Sequence, residues 1–101
     1  MLQTHPRKLL VVISEAVIER QLVADARSLG ALGYTVVDVR GGGVHGDHDG
    51  EWDVDRSIEL QLVCTAEVAD RIAEHVLQRY ARHYRVTLYL SDVGVFRAER
   101  F

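Results

Sequence analysis

Cysteine, proline, methionine and tryptophan each occur once in these 101 residues, and lysine only at position 8. A lone Cys64 inside an apolar stretch excludes a disulfide framework and a cysteine-based zinc site, and is expected to be a buried thiol in a reducing compartment. Met1 to Arg7 is polar, and the apolar run that follows is too short for the core of a signal peptide or for a membrane span. A cytoplasmic protein that does not itself span a membrane is expected. A surplus of positive charge is missing too: 12 basic against 15 acidic side chains give a formal net charge of −3, so neither nucleic acid nor an anionic membrane is an expected partner. Arginine carries almost all the positive charge, which suits bidentate contacts but also follows from genome composition. The length predicts a single domain, residues 1–101, with a core modest enough that association would help it.

What is present is periodic. Leu9-Leu10-Val11-Val12-Ile13, within Lys8 to Ser14, is a continuous apolar run and predicts a central strand covered on both faces. Ser14 is placed to cap a helix with Glu15 in its first turn and Ile18, Leu22, Ala26 and Leu29 along one side, stopped by Gly30 and Gly33. Tyr34 to Arg40 is a second strand. Ser57 to Thr65 alternates, with Ile58, Leu60, Leu62 and Cys64 on one side and Glu59, Gln61 and Val63 on the other. Thr65 caps a second predicted helix, with Ala69, Ile72, Ala73, Val76 and Tyr80 at helical spacing, and Val86 to Val95 is the last strand, with a bulge or strand end expected at Ser91-Asp92. The order βαββαβ predicts an α+β, ferredoxin-like fold: a four-stranded antiparallel sheet with two helices on one face. The other face would carry Gln61, Val63, Thr87, Tyr89 and Val93, a semi-apolar set expected to be buried by association.

The second strand runs into Arg40-Gly41-Gly42-Gly43-Val44-His45-Gly46. Glycines permit positive φ and close approach of an anion to the backbone, and Arg40 adds a fixed charge, so a phosphate is expected here. The spacing Gly41, Gly43, Gly46 reads as G-x-G-x-x-G, but a dinucleotide fingerprint requires a helix to follow. Asp47 to Asp55 is instead acidic and turn-prone. A hairpin connection without a ligand fits the same residues.

Three segments together carry a resemblance: Lys8-Leu9-Leu10-Val11-Val12-Ile13-Ser14-Glu15, then Gly33-Tyr34-Thr35-Val36 through Arg40-Gly41-Gly42-Gly43, then Tyr89-Leu90-Ser91-Asp92-Val93 with Phe96-Arg97-Ala98. They resemble the PII signal-transduction superfamily, most of all its PII-like branch associated with carboxysomes and bicarbonate transporters. The resemblance implies a signalling protein rather than an enzyme, with no cofactor: a homotrimer that binds an adenine nucleotide in each cleft between subunits and regulates inorganic-carbon uptake or metabolism. Residues 41–56 would be the family's T-loop. Carried over by position, Thr35, Asp38 and Arg40 lie along the cleft, the amides of Gly41, Gly42, Gly43 and Gly46 face the phosphates, and Gln61 and Val63 lie beside adenine. Arg82-His83-Tyr84-Arg85 takes the place of the B-loop, with Arg85 at the nucleotide, and Arg97 and Arg100 belong to the C-terminal loop. The T-loop here has no tyrosine, which removes the residue that classical members modify, and the glycine-rich, lysine-bearing B-loop is absent. ADP or AMP is therefore expected ahead of cyclic AMP or ATP with magnesium. Bicarbonate would sit beside Arg40, Gly41 and Gly43, and a bicarbonate transporter or another protein of carbon metabolism would be the partner.

His45-Gly46-Asp47-His48-Asp49 supports an alternative in a different class, a metal-dependent enzyme such as a slow phosphohydrolase centred on His45 and His48. A metal-binding ferredoxin-like trimer without a nucleotide site is another. A solvated acidic loop, or a histidine folded over phosphate, accounts for the same residues. Trp52 is either an anchor or a partner contact, and five acidic side chains between Asp47 and Asp55 should keep the loop open until a cation or ordered ligand compensates.

Overall fold

Alternating and continuous apolar runs become four long strands in the computed structural model, which describes residues 1–43, 46–47 and 56–101. In chain order the elements are β1 (His5–Glu15), α1 (Glu19–Ser28), β2 (Thr35–Val39), β3 (Gly42–Gly43), β4 (Gly46–Asp47), β5 (Ser57–Cys64), α2 (Ala66–Arg79) and β6 (Val86–Val95). Short 3₁₀ turns occupy Ala16–Ile18 and Ala98–Arg100. The long strands form one sheet in the order β2-β5-β1-β6, antiparallel at every junction. This is the expected ferredoxin-like α+β arrangement.

One sheet face makes the core with the helices. Leu10 and Val12 of β1, Ile58, Leu60, Leu62 and Cys64 of β5, Ile18, Leu22 and Ala26 on the first helical side, and Ala69, Ile72, Val76 and Tyr80 on the second are all buried. Each large aliphatic side chain removed from water this way contributes about 1.5–3 kcal/mol. Thr65 caps α2 as expected, its hydroxyl accepting from the Val68 amide at 3.3 Å. Gly30 ends the first helical segment at φ +121°, a region costly for any residue with a Cβ.

Two local expectations need correction. Ser14 does not cap a helix: it stays in β1, opposite Ile58 on one side and Val86 on the other, and its buried hydroxyl donates to the Glu15 carbonyl. Pairing on both flanks carries β1 through Glu15, and the chain makes a 3₁₀ turn before α1 begins. Ser91-Asp92 marks neither a bulge nor a strand end. Its partners in an unbroken register are Leu9 and Lys8, and Lys8 donates to Asp92, so the polar interruption is a cross-strand ion pair.

Among the described residues no helix covers the second sheet face. Register places Val37, Glu59, Ile13 and Thr87 in one row across it, and Thr35, Gln61, Val11 and Tyr89 in the next. Val11 is nonetheless 3% exposed, closed in by its neighbours, whereas Tyr89 is 51% exposed and Val37 42%. The strand predicted to be covered on both faces is covered by helices on one alone.

Candidate functional site

Antiparallel pairing decides which ends of the strands meet. The last residues of β1 and β2 and the first of β5 and β6 share one end of the sheet, since Val39 pairs with Ser57, Ser57 with Glu15, and Val86 with Ser14. Arg40, Gly41, Arg56 and Arg85 follow or precede those residues and therefore stand at that end. Three contacts fix it. Arg56 Nη2 donates to Asp38 Oδ1 at 3.4 Å, the Ala16 amide donates to the Arg56 carbonyl at 2.8 Å, and the Arg85 amide donates to Glu15 Oε2 at 2.9 Å. Both stems of the segment between Arg40 and Arg56, and the turn before β6, are thus tied to the end of β1.

The glycine cluster begins in this setting. Gly42 pairs with Asp47 and Gly43 with Gly46 as a two-residue antiparallel ladder, β3 with β4. Gly41 is exposed, and its backbone is outside the left-handed region, so the positive φ expected of this cluster is not used there. A Cβ built on Gly41 would meet nothing within 4 Å among the described residues.

The strand pattern sorts the other expected residues. Thr35 and Gln61 are directly opposed on the helix-free face, and Val63 follows on that face opposite Leu9. Gln61 Nε2 donates to Glu59 Oε2 at 2.7 Å. Asp38 lies on the other side of β2, opposite Ile58, where it holds Arg56. Arg97 and Arg100 follow β6 at the far end of the sheet, with Arg97 Nε 3.9 Å from Glu99 Oε2. From Val86 to Val95 the strand rises about 30 Å, at roughly 3.3 Å per residue. One chain cannot bring Arg40 and Arg97 to the same phosphate; only two chains can.

Sequence reasoning missed three anchors of these loops: Glu15, taken as a helix-start acid, Arg56, and Arg7. The available signals were modest. Arg56 mirrors Arg40 across the loop, and Arg7 continues the every-second-residue series of Leu9, Val11 and Ile13 on the helix-free face.

A further polar cluster joins the helices. Asp25 Oδ2 accepts from the Tyr80 hydroxyl at 2.5 Å and lies 2.9 Å from His75 Nε2. Burial would raise the Asp25 pKa, but the hydrogen bonds from Tyr80 and His75, with the charges of His75 and Arg79, outweigh it and leave it below its ordinary value of 3.8. Burial, and then Asp25, push the Tyr80 phenol upward. Burial also raises the Cys64 thiol, as expected of an inert core cysteine.

Among the described residues no three histidine, cysteine or acidic side chains are grouped to hold a metal. His45, His48 and Trp52, and with them the metal-centred alternative, lie outside the described residues. No described helix is long and apolar enough to cross a membrane.

Residues 7–100 match the family model for nitrogen regulatory protein P-II. Among solved structures, a PII-like signalling protein from Thermus thermophilus is 34% identical, covers 99% of each chain and superposes with a TM-score of 0.86. The nitrogen regulatory PII-like protein CPII from Thiomonas intermedia, bound to ADP and bicarbonate, is 24% identical over 100% of this chain and 99% of its own, with a TM-score of 0.88. The same protein bound to ADP, AMP and bicarbonate gives 0.87 at 23% identity, over 100% and 98% of the two chains.

Proposed function

The chain belongs to the P-II family of regulatory proteins, and from that premise we propose that it is a cytoplasmic homotrimeric sensor of adenine nucleotide, ADP or AMP, bound between subunits. The observation that carries this reading is the separation of its cationic groups. Arg40 and Arg85 stand at one end of the sheet and Arg97 and Arg100 at the other, while PII homologues are trimers. A trimer built on the helix-free sheet face would bury Tyr89 and Val37 and bring opposite ends of neighbouring chains together.

In such a cleft the phosphates meet Arg40, Arg85 and the amides of Gly41, Gly42, Gly43 and Gly46, with Arg97 and Arg100 supplied by the adjoining copy. Guanidinium groups recognise phosphate through paired N–H donors, and backbone amides add dipoles without a desolvated counter-charge. Thr35, Gln61 and Val63 offer the adenine a face that is half polar and half apolar. Asp38 keeps Arg56 at the base of the loop. Bicarbonate, which the Thiomonas relative binds with ADP, would sit beside Arg40, Gly41 and Gly43.

Occupancy would act on residues 41–56, the T-loop equivalent, because a ligand on Arg40 and the glycine amides engages one stem of that segment directly. A ligand shifts such an equilibrium only by its differential affinity for the two loop states. The loop would then regulate a bicarbonate transporter or another protein of inorganic-carbon metabolism, and the chain would work as a signal, not a catalyst. Calorimetric titration with ADP and AMP, with and without bicarbonate, tests this. Binding near one site per chain, altered by bicarbonate, is expected; no binding of either nucleotide by calorimetry and a second method would overturn it.

A further inference from the structure

We infer that Arg7 is a positioning residue that holds the C-terminal turn, and through it Arg97 and Arg100, in the orientation in which they meet a nucleotide bound to the adjoining copy. The inference rests on the nucleotide cleft proposed above and adds a component to it.

Arg7 is a half-buried arginine whose nitrogens are committed to carbonyl oxygens. Its Nη2 donates to the Ala98 carbonyl at 3.2 Å, its Nε lies 3.4 Å from the Phe101 carbonyl oxygen, and its Nη1 donates to the Pro6 carbonyl at 2.8 Å. A guanidinium spent on backbone carbonyls has given up the donor pair with which it would grip a phosphate. Its contacts instead join β1 to a segment more than ninety positions away in sequence.

The turn it holds is otherwise slight. Residues 98–100 form one 3₁₀ turn, closed by the Arg100 amide on the Arg97 carbonyl at 2.9 Å and the Phe101 amide on the Ala98 carbonyl at 3.1 Å. Such a turn has little stability of its own. The Ala98 carbonyl accepts from both the Phe101 amide and Arg7, so Arg7 fixes to β1 the same oxygen on which the turn closes. Arg7 also lies opposite Val93 in the continuous β1–β6 register, which fixes the height at which the turn can dock. Arg97 and Arg100 flank the docked carbonyls and are both exposed. Holding their backbone in place lowers the ordering cost of bringing them onto a phosphate.

The test compares the wild-type protein with Arg7→Gln and Arg7→Lys, each checked for an unchanged association state. Amide hydrogen exchange read without ligand should speed up by about tenfold at Arg100 and Phe101 in Arg7→Gln, the size expected for loss of one or two such hydrogen bonds. Arg7→Lys keeps the charge but not the planar fork and should fall between. ADP titration should show weaker binding by Arg7→Gln in the otherwise wild-type chain, and no further weakening when Arg7→Gln is added to a chain already carrying Arg97→Ala and Arg100→Ala. Unchanged exchange at Arg100 and Phe101 would overturn the tether. An equal drop in affinity in both backgrounds would show that Arg7 acts on the nucleotide or on the fold directly, which also overturns the inference. If the wild-type protein itself fails to bind ADP, the nucleotide reading falls and the positioning role falls with it, whereas the exchange result still decides the tether.

Discussion

Replacing Tyr80 with phenylalanine removes one hydroxyl from the polar lock between the two helices and leaves the ring in place. Tyr80 is 3% exposed, and its hydroxyl donates to the Asp25 carboxylate at 2.5 Å. A hydrogen bond to a charged group contributes about 1.5–3 kcal/mol. Asp25 retains 28% side-chain exposure, so water replaces part of the lost bond and the net cost should be about 1–2 kcal/mol. For a domain of this size that lowers the melting temperature by roughly 5–10 °C, read at equal protein concentration because association contributes to stability. The pH dependence has a definite sign. The Asp25 pKa is depressed in the folded state, so its contribution is present above 3.8 and is lost as pH falls through the lower folded value. The Tyr80 pKa is raised, so the phenol remains a donor across neutral pH, and its contribution is lost only as pH rises above 10.0 through the folded value. The gap between wild type and Tyr80→Phe should therefore be fully open at about pH 7 and should narrow in acid below 3.8, as the folded protein's Asp25 takes up a proton. Thermal melts followed by circular dichroism across that range provide the measurement. Equal melting temperatures at neutral pH, or a gap just as wide in acid, would refute this account of the lock.

Gly30→Ala should cost about 1–3 kcal/mol, because φ +121° is strained for alanine and its Cβ would lie 3.1 Å from Val68 Cγ2; a denaturant midpoint reads this directly. Gly41→Ala offers the opposite test. Its Cβ meets nothing within 4 Å among the described residues, so stability should hold while ADP affinity falls about tenfold or more if a phosphate packs against that backbone; unaltered affinity would remove Gly41 from the site. Tyr89→Asp places a charge on the helix-free face at a position 51% exposed in the single chain, so folding should survive and association fail. Light scattering should then show about 11.4 kDa for the variant and about three times that for the wild type.

The core was legible because burial on one face imprints a period. Ile58, Leu60, Leu62 and Cys64 alternate, Ala69, Ile72 and Val76 recur at helical spacing, and both patterns appear in the structure as read. Strand ends were less legible, since hydrogen-bonded partners from distant segments decide them. Ser14 looks like a cap until Ile58 and Val86 claim its backbone, and Ser91-Asp92 looks like a break until Lys8 stands opposite it. The site divides along the same line. Arg40 and the glycines announce themselves by composition, and the segment 33–43 by its resemblance to the PII family. The anchors Glu15, Arg56 and Arg7 act through backbone atoms or through partners far away in the chain, and neither leaves a local pattern.

The central claim, a nucleotide cleft shared between two chains, is tested most directly by subunit mixing. One chain carries Arg40→Ala, the other Arg97→Ala with Arg100→Ala, and each alone should bind ADP poorly. Co-refolded in equal amounts, they form mixed trimers in which about one quarter of the clefts pair an intact Arg40 half with an intact Arg97 half, by random assembly of a cyclic trimer. Calorimetry should recover wild-type affinity at about that fraction of sites. If both halves of each site came from the same chain, no cleft in the mixture would be whole, and the absence of any recovered high-affinity binding would contradict the account.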